Sequence, residues 1–326
     1  MSTCHGREDT APAAAPIISE QNIFLITLVA STFLMGSSFI AGKTLLQDGF
    51  GPLVLVGWRC FAAAMAAAPL VRLDGPYREA FLPPQVGVRE ATLMTLIGLL
   101  QTTGVMGFLF LSMQYISASA SAIMLFTNPI WVAMLGLLFL GETLHTWRVI
   151  GLLLGLVGII FAIGVGPELS SNPDSVLGEI FGLCSAFCWA AATIINKRAK
   201  LPFGGWAISF WQLFIGSLGL LAIAYASGEH WPENVTAEQW AWFFWLAIPA
   251  TTGSFGLWFV ALRNGGATRT SGYLFLTPLF AVILSFIILG TTLTWLQATG
   301  GILICVALWL INSRRPDARV RERQNA

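Results

Sequence analysis

The chain repeats itself, and this duplication limits the folds open to it more than any other property. Shifting the sequence by 149 residues lays Thr102-Thr103-Gly104 on Thr251-Thr252-Gly253, Gly107 on Gly256, Pro129 on Pro278, Leu140-Gly141 on Leu289-Gly290 and Gly151 on Gly300. A shift of 154 residues lays 33–43 (FLMGSSFIAGK) on 187–197 (FCWAAATIINK), with Phe and Lys matched at the two ends. The offsets differ because the polar link at 72–90 is longer than its counterpart at 228–237. Two copies of one unit therefore account for nearly the whole chain, and any fold must bury both copies in related ways.

Composition sets the solvent for that fold. With 56% hydrophobic and 10% charged residues and a mean hydropathy of +0.75, the chain is far too apolar for a soluble domain, where about 25% charged is usual. Apolar runs of about 20 residues, the length a bilayer core requires, are expected at 22–43, 52–72, 91–113, 118–140 and 147–166, and again at 176–197, 204–227, 238–262, 267–289 and 295–313. The reading is an all-α membrane protein with ten transmembrane helices in two five-helix repeats, 22–166 and 176–313. A disordered tail (1–21) precedes them and a basic tail (314–326) follows. Continuous apolar runs lack the two-residue alternation of a membrane β-barrel.

Cytoplasmic loops accumulate Lys and Arg. With both termini inside, 15 of the 17 basic residues fall on the cytoplasmic side, leaving Lys43 outside and Arg59 within the second span. Because each copy has an odd number of spans, the second must enter the membrane from the opposite face. Inverted repeats of this kind build a site on their shared interface that opens to either side in turn. A transporter of the inner (plasma) membrane is expected, with a channel or receptor on the same duplicated bundle as the alternative. The net charge of +1 gives no reason to expect nucleic acid. The expected partners are the bilayer and a small-molecule substrate, with the chain a monomer or homodimer.

Arg59 is the sharpest chemical feature. An arginine this deep in a span costs about 3 kcal/mol or more facing lipid, so it belongs in the bundle interior or a wet cavity, where its planar fork suits a carboxylate. Near its repeat-equivalent position the second copy has Gln212. Trp58, Trp189, Trp258 and Tyr273 are candidate aromatic walls, and Asn128 and Trp131 lie beside a proline inside the fourth span. Pro129 and Pro278 remove backbone hydrogen bonds within the fourth and ninth spans, which marks them, with Lys43, as candidate gate residues. No Asp or Glu lies deep in a span, so coupling through a buried carboxylate is disfavoured. No phosphate loop, zinc-protease helix or supported catalytic triad occurs, and Cys184 and Cys188 lack the partners of a metal site. No enzyme activity, metal or cofactor is expected.

These elements together resemble the EamA-type branch of the drug/metabolite transporter superfamily over about 23–312. The likeness is carried by GSSFIAGK at 36–43, Gly57-Trp58-Arg59, and NPIWVAMLGLLFLGETL at 128–144. In the second copy it is carried by FCWAAATIINK at 187–197, FWQ at 210–212 and LTPLFAVILSFIILGTTLT at 276–294. The resemblance implies a ten-helix inner-membrane carrier, usually an exporter of amino acids, other metabolites or drug-like compounds, with a central cavity between the repeats. The chain departs from the pattern at Met35, where the family commonly has Trp, and at Thr291, which stands where a second Glu would match Glu142.

Overall fold

A computed structural model describes residues 20–116, 118–142, 144–163, 173–289 and 294–312. The expected tails, 1–21 and 314–326, lie almost wholly outside these. Every regular element among the described residues is a helix, and none of these residues forms a strand. Among the described residues, nine helices are long and apolar enough to span a bilayer: α1 (Asn22–Gln47), α2 (Pro52–Asp74), α3 (Val88–Met113), α4 (Ser121–Leu140), α5 (Thr146–Ile163), α6 (Val176–Ala199), α7 (Gly205–Ala226), α8 (Ala237–Asn264) and α9 (Ala267–Ile288). The apolar helix α10 (Trp295–Ile311) is shorter.

The two copies are interleaved. α1 packs on α8 and α9 of the second copy, while α6 packs on α3 and α4 of the first. The second helices, α2 and α7, lie against each other, and so do the fifth helices, α5 and α10. Apolar side chains gain little by leaving lipid for one another, so helix association in a bilayer depends on close backbone approach through small residues. At α5·α10 a Cβ added to Gly300 would sit 2.5 Å from the Ala162 amide nitrogen and 2.7 Å from the Gly158 carbonyl oxygen. A Cβ on Gly158 would meet Ile304 Cγ1 at 2.9 Å. At α3·α7 a Cβ on Gly216 would fall 2.3 Å from the Thr102 Cβ.

Polar contacts repeat the symmetry. Asp74, at the end of α2, accepts a hydrogen bond from the Ala207 amide near the start of α7 (2.9 Å). Glu229, after α7, accepts one from the Val54 amide near the start of α2 (2.8 Å). Each carboxylate satisfies an amide that the first helical turn leaves without a partner and meets the positive end of the helix dipole. The long link at 72–90 forms a short helix, Tyr77–Phe81, whose last ring stands 4.6 Å from Phe210, while the Phe81 carbonyl accepts from Trp211 Nε1 (3.0 Å).

The fourth helix of each copy is broken. In α4 the helix stops at Leu125 and restarts at Asn128, with Pro129 in the first turn of the new segment. In α9 a 3₁₀ turn, Tyr273–Phe275, precedes the segment containing Pro278. Both prolines thus sit near a helix start, where a missing N–H costs least.

The glycine seam yields a test. Gly300→Val should lower stability by about 1–3 kcal/mol through overpacking. Gly107→Ala, whose Cβ meets nothing within 4 Å, should be neutral or stabilising by up to about 1 kcal/mol. Thermal unfolding of the two purified variants in detergent checks the contrast.

Candidate substrate site at the repeat interface

The middle of α3 is wound as a π-helix, Leu99–Gly104, and its repeat mate in α8, Ile248–Gly253, is wound the same way. Both contain the Thr-Thr-Gly triplet, and in both the second threonine reaches across to the other copy. Thr103 Oγ1 donates to the Gly216 carbonyl (2.9 Å), and Thr252 Oγ1 donates to the Ala63 carbonyl (2.8 Å). π-helical turns inside α-helices recur at functional sites, and the one in α3 is where the expected site residues gather.

Thr102 Oγ1 donates to Gln212 Oε1 (2.7 Å). One turn further along α3, Met106 Sδ accepts a long contact from Arg59 Nη2 (3.7 Å). Between these points the Val105 carbonyl accepts from Ser185 Oγ (2.7 Å), and a Cβ on Gly104 would lie 3.2 Å from Cys188 Sγ. These contacts bring α6 alongside. Beside Cys188, the Trp189 ring meets Trp258 edge to face at 6.3 Å. One turn earlier the Ala186 carbonyl accepts from Asn128 Nδ2 (3.2 Å). Five of the expected residues, Arg59, Asn128, Trp189, Gln212 and Trp258, therefore converge on α3 and α6, contributed by α2, α4, α6, α7 and α8.

Most of the site's unpaired polar atoms are donors. Arg59 Nε, Gln212 Nε2, Trp189 Nε1 and Trp258 Nε1 are all buried without a protein partner, as are Asn128 Oδ1 and the hydroxyl of Ser209, one turn before Gln212. Each buried donor left unpaired costs about 1–3 kcal/mol, and folded proteins leave few. Four such N–H groups in one region suit an acceptor-rich guest.

Three expected contact residues lie elsewhere. Trp58 is adjacent to Arg59 but turns about 100° around the helix and donates through Nε1 to the Tyr225 hydroxyl (3.1 Å). It lines an aromatic recess of about 740 Å³ with Phe61, Trp231, Trp240 and Phe243. Trp131 packs at the perimeter against Phe187, a ring 44% exposed, at 5.6 Å. Tyr273 stacks edge-on with Phe24 (6.2 Å) at the start of α9. The side chain of Lys43 and all of Thr291 lie outside the described residues.

The two ends of the interface differ although their sequences are related. In the second half of α8 seven of eleven residues are buried, against three of nine in the second half of α3. A Cβ on Gly256 would strike the Trp206 ring at 2.1 Å, whereas its mate Gly107 faces open space. The packed end carries a charged latch. Gly141 turns the chain in the left-handed region (φ 65°), and Glu142 then accepts from the amides of Ala267 (2.8 Å) and Thr268 (3.2 Å) at the start of α9. Lys197 Nζ donates to the carbonyls of Leu262 (2.7 Å), Arg263 (3.2 Å) and Gly265 at the end of α8. A lysine in the last turn of α6 would ordinarily complement the dipole of its own helix, but the carbonyls that Lys197 meets belong to the end of α8. Sequence reasoning passed over Thr102, Met106 and Ser209; the Thr-Thr-Gly repeat was the available clue to the first.

Comparison with known proteins accords with this architecture. The profile of the EamA-like transporter family matches residues 22–164 and again 176–313. An uncharacterized transporter of Archaeoglobus fulgidus is 24% identical over 289 residues, covering 88% of this chain and 97% of that protein. The uncharacterized transporter YoaV of Bacillus subtilis is 23% identical, over 88% and 95% of the two chains. A chloroplastic WAT1-related protein of Arabidopsis thaliana is 27% identical, over 87% and 68%. A crystal structure superimposes with a TM-score of 0.74 at 16% identity, covering 89% of this chain and 97% of its own, a likeness of fold. The chain is thus a multi-pass membrane transporter that belongs to the EamA-like transporter family.

Proposed function

We propose that the protein is a carrier of the inner membrane, with both termini cytoplasmic, that exports a small carboxylate-bearing solute, foremost an amino acid, by alternating access. The observation that carries this reading is the set of four buried, unpartnered N–H donors on Arg59, Gln212, Trp189 and Trp258. A carboxylate presents acceptor lone pairs to such donors, and its bond to a guanidinium is among the stronger hydrogen bonds. Asn128 Oδ1 is an unpaired acceptor suited to an ammonium, and the edge-to-face Trp189 and Trp258 rings offer an apolar wall and a cation–π surface. Gln212 stands near the repeat-equivalent position of Arg59, so the chamber would be positive on one flank only.

The unequal ends support the alternation. The packed end near Glu142 and Lys197 and the open end near Gly107 are related by the repeat, so exchanging their conformations would turn the chamber to the other compartment. None of the residues gathered at the chamber is acidic, which favours facilitated export, exchange, or protons carried on the substrate over a relay through a buried carboxylate.

Counterflow in proteoliposomes tests the carrier itself: preloaded unlabelled amino acid should accelerate uptake of labelled amino acid, which a pore cannot do. Arg59→Gln should weaken transport of the anionic or zwitterionic solute about 10- to 100-fold, the loss of one charged hydrogen bond, and Arg59→Lys should restore part of it. Unchanged transport in both variants overturns the site. Glu142→Ala should loosen the packed end and raise labelling of a single cysteine placed at Ser271, probed with an impermeant maleimide in a cysteine-free background.

A further inference from the structure

At the latch end the carboxylates described so far are already engaged. Asp74 caps α7 and Glu142 caps α9. Lys197 is held by the carbonyls of α8. Arg198 lies over the Phe139 ring (5.7 Å), Arg72 over Tyr77 (5.4 Å) and Arg269 over Phe24 (4.8 Å). Lys200 and Arg263 have, among the described residues, no ion-pair partner. They face a cavity of about 300 Å³ lined also by Asn196, Lys197, Leu201, Phe203, Ile208 and Leu262. None of these lining residues is acidic. Lys200 is the one described non-glycine residue with positive φ, at 47°, a conformation that places the lysine immediately beyond the end of α6 and is uncommon for such a side chain.

We propose that this cavity is a binding site for a phosphate ester, occupied by the headgroup of an anionic phospholipid in the leaflet at the basic end of the bundle. Charge and shape both argue for it. Lys200 and Arg263 present uncompensated positive charge, and Asn196 adds a neutral donor. The apolar part of the lining, Leu201, Phe203, Ile208 and Leu262, suits the glycerol and first acyl carbons that follow a lipid phosphate. Basic pockets between membrane helices on the positive side hold anionic headgroups in this way. The site is separate from the chamber at Arg59, but it shares Lys197 with the latch. An occupant that draws the ammonium from the α8 carbonyls would loosen the packed end, so the lipid would also set the ease of opening.

The test uses the full-length protein in a neutral detergent, with thermal unfolding read against added short-chain phosphatidylglycerol, short-chain phosphatidylcholine or glycerol 3-phosphate. Phosphatidylglycerol should raise the melting temperature in a saturable manner. Lys200→Asn tolerates the left-handed backbone while removing the charge. Combined with Arg263→Gln it should weaken the effect at least 10-fold without changing the melting temperature of the unliganded protein by more than a few degrees. Lys200→Arg should retain binding. Stabilisation by phosphatidylglycerol alone supports a lipid site, and equal stabilisation by glycerol 3-phosphate supports a phosphate-ester site fed from solution instead. An equal effect of phosphatidylcholine, or an undiminished effect in the double variant, overturns the proposal. If the double variant fails to fold, the charge-preserving pair Lys200→Arg with Arg263→Lys decides, since loss of the stabilisation there overturns it too.

Discussion

Close backbone approach between the two copies is the constraint on which the rest of the structure depends. In a bilayer there is almost no hydrophobic gain in joining two apolar helices, so cohesion comes from dispersion between surfaces that fit and from hydrogen bonds across them. The contact of Gly300 with Gly158 and Ala162, and that of Gly216 with Thr102, bring main chains together where any side chain would hold them apart. Threonine hydroxyls from the π-helical turns and carboxylates at the helix starts then bond across the same boundary. Many of the specific interactions of the fold are thus also interactions between repeats.

The candidate site follows from that arrangement. With α2 packed against α7, Arg59 and Gln212 both reach α3. Inserting α6 between α3 and α4 brings Trp189 and Asn128 to the same level. The α3 π-helical turn directs Thr102 to Gln212 and sets Met106, one turn on, beside Arg59. Relative to an all-apolar core this region is expensive, since several buried donors have no protein partner. Tolerating such a cost where four buried N–H donors gather is what a binding site for a polar guest would require.

The helices and their duplication were legible in the sequence because both leave strong periodic traces: long apolar runs, and the recurrence of Pro129 as Pro278 and Gly151 as Gly300. Arg59 and Gln212 were legible because a charge or an amide within an apolar run has few places to go. Rotation about a helix axis was less so. Trp58 and Arg59 are neighbours in the chain, yet one faces Tyr225 and the other Met106, and an all-round apolar helix carries no amphipathic stripe to separate them. The latch was hidden for a different reason. The three carbonyls that hold Lys197 lie 65 or more residues away in sequence, and backbone carbonyls carry no residue-type signature.

The interleaving of α1 with α8 and α9 bears on how the polypeptide is made. During translation α1 leaves the ribosome first, and its partners follow only after some two hundred further residues, about 10–40 s later at ordinary elongation speeds. Until then Ser31, which finally donates to the Ser254 carbonyl (2.8 Å), must find a substitute in its own helix, the insertion machinery or a neighbouring nascent segment. The amino-terminal half is therefore a waiting intermediate and not a finished module, and a ribosome that stalls between the halves leaves in the membrane a product with its partner surfaces uncovered.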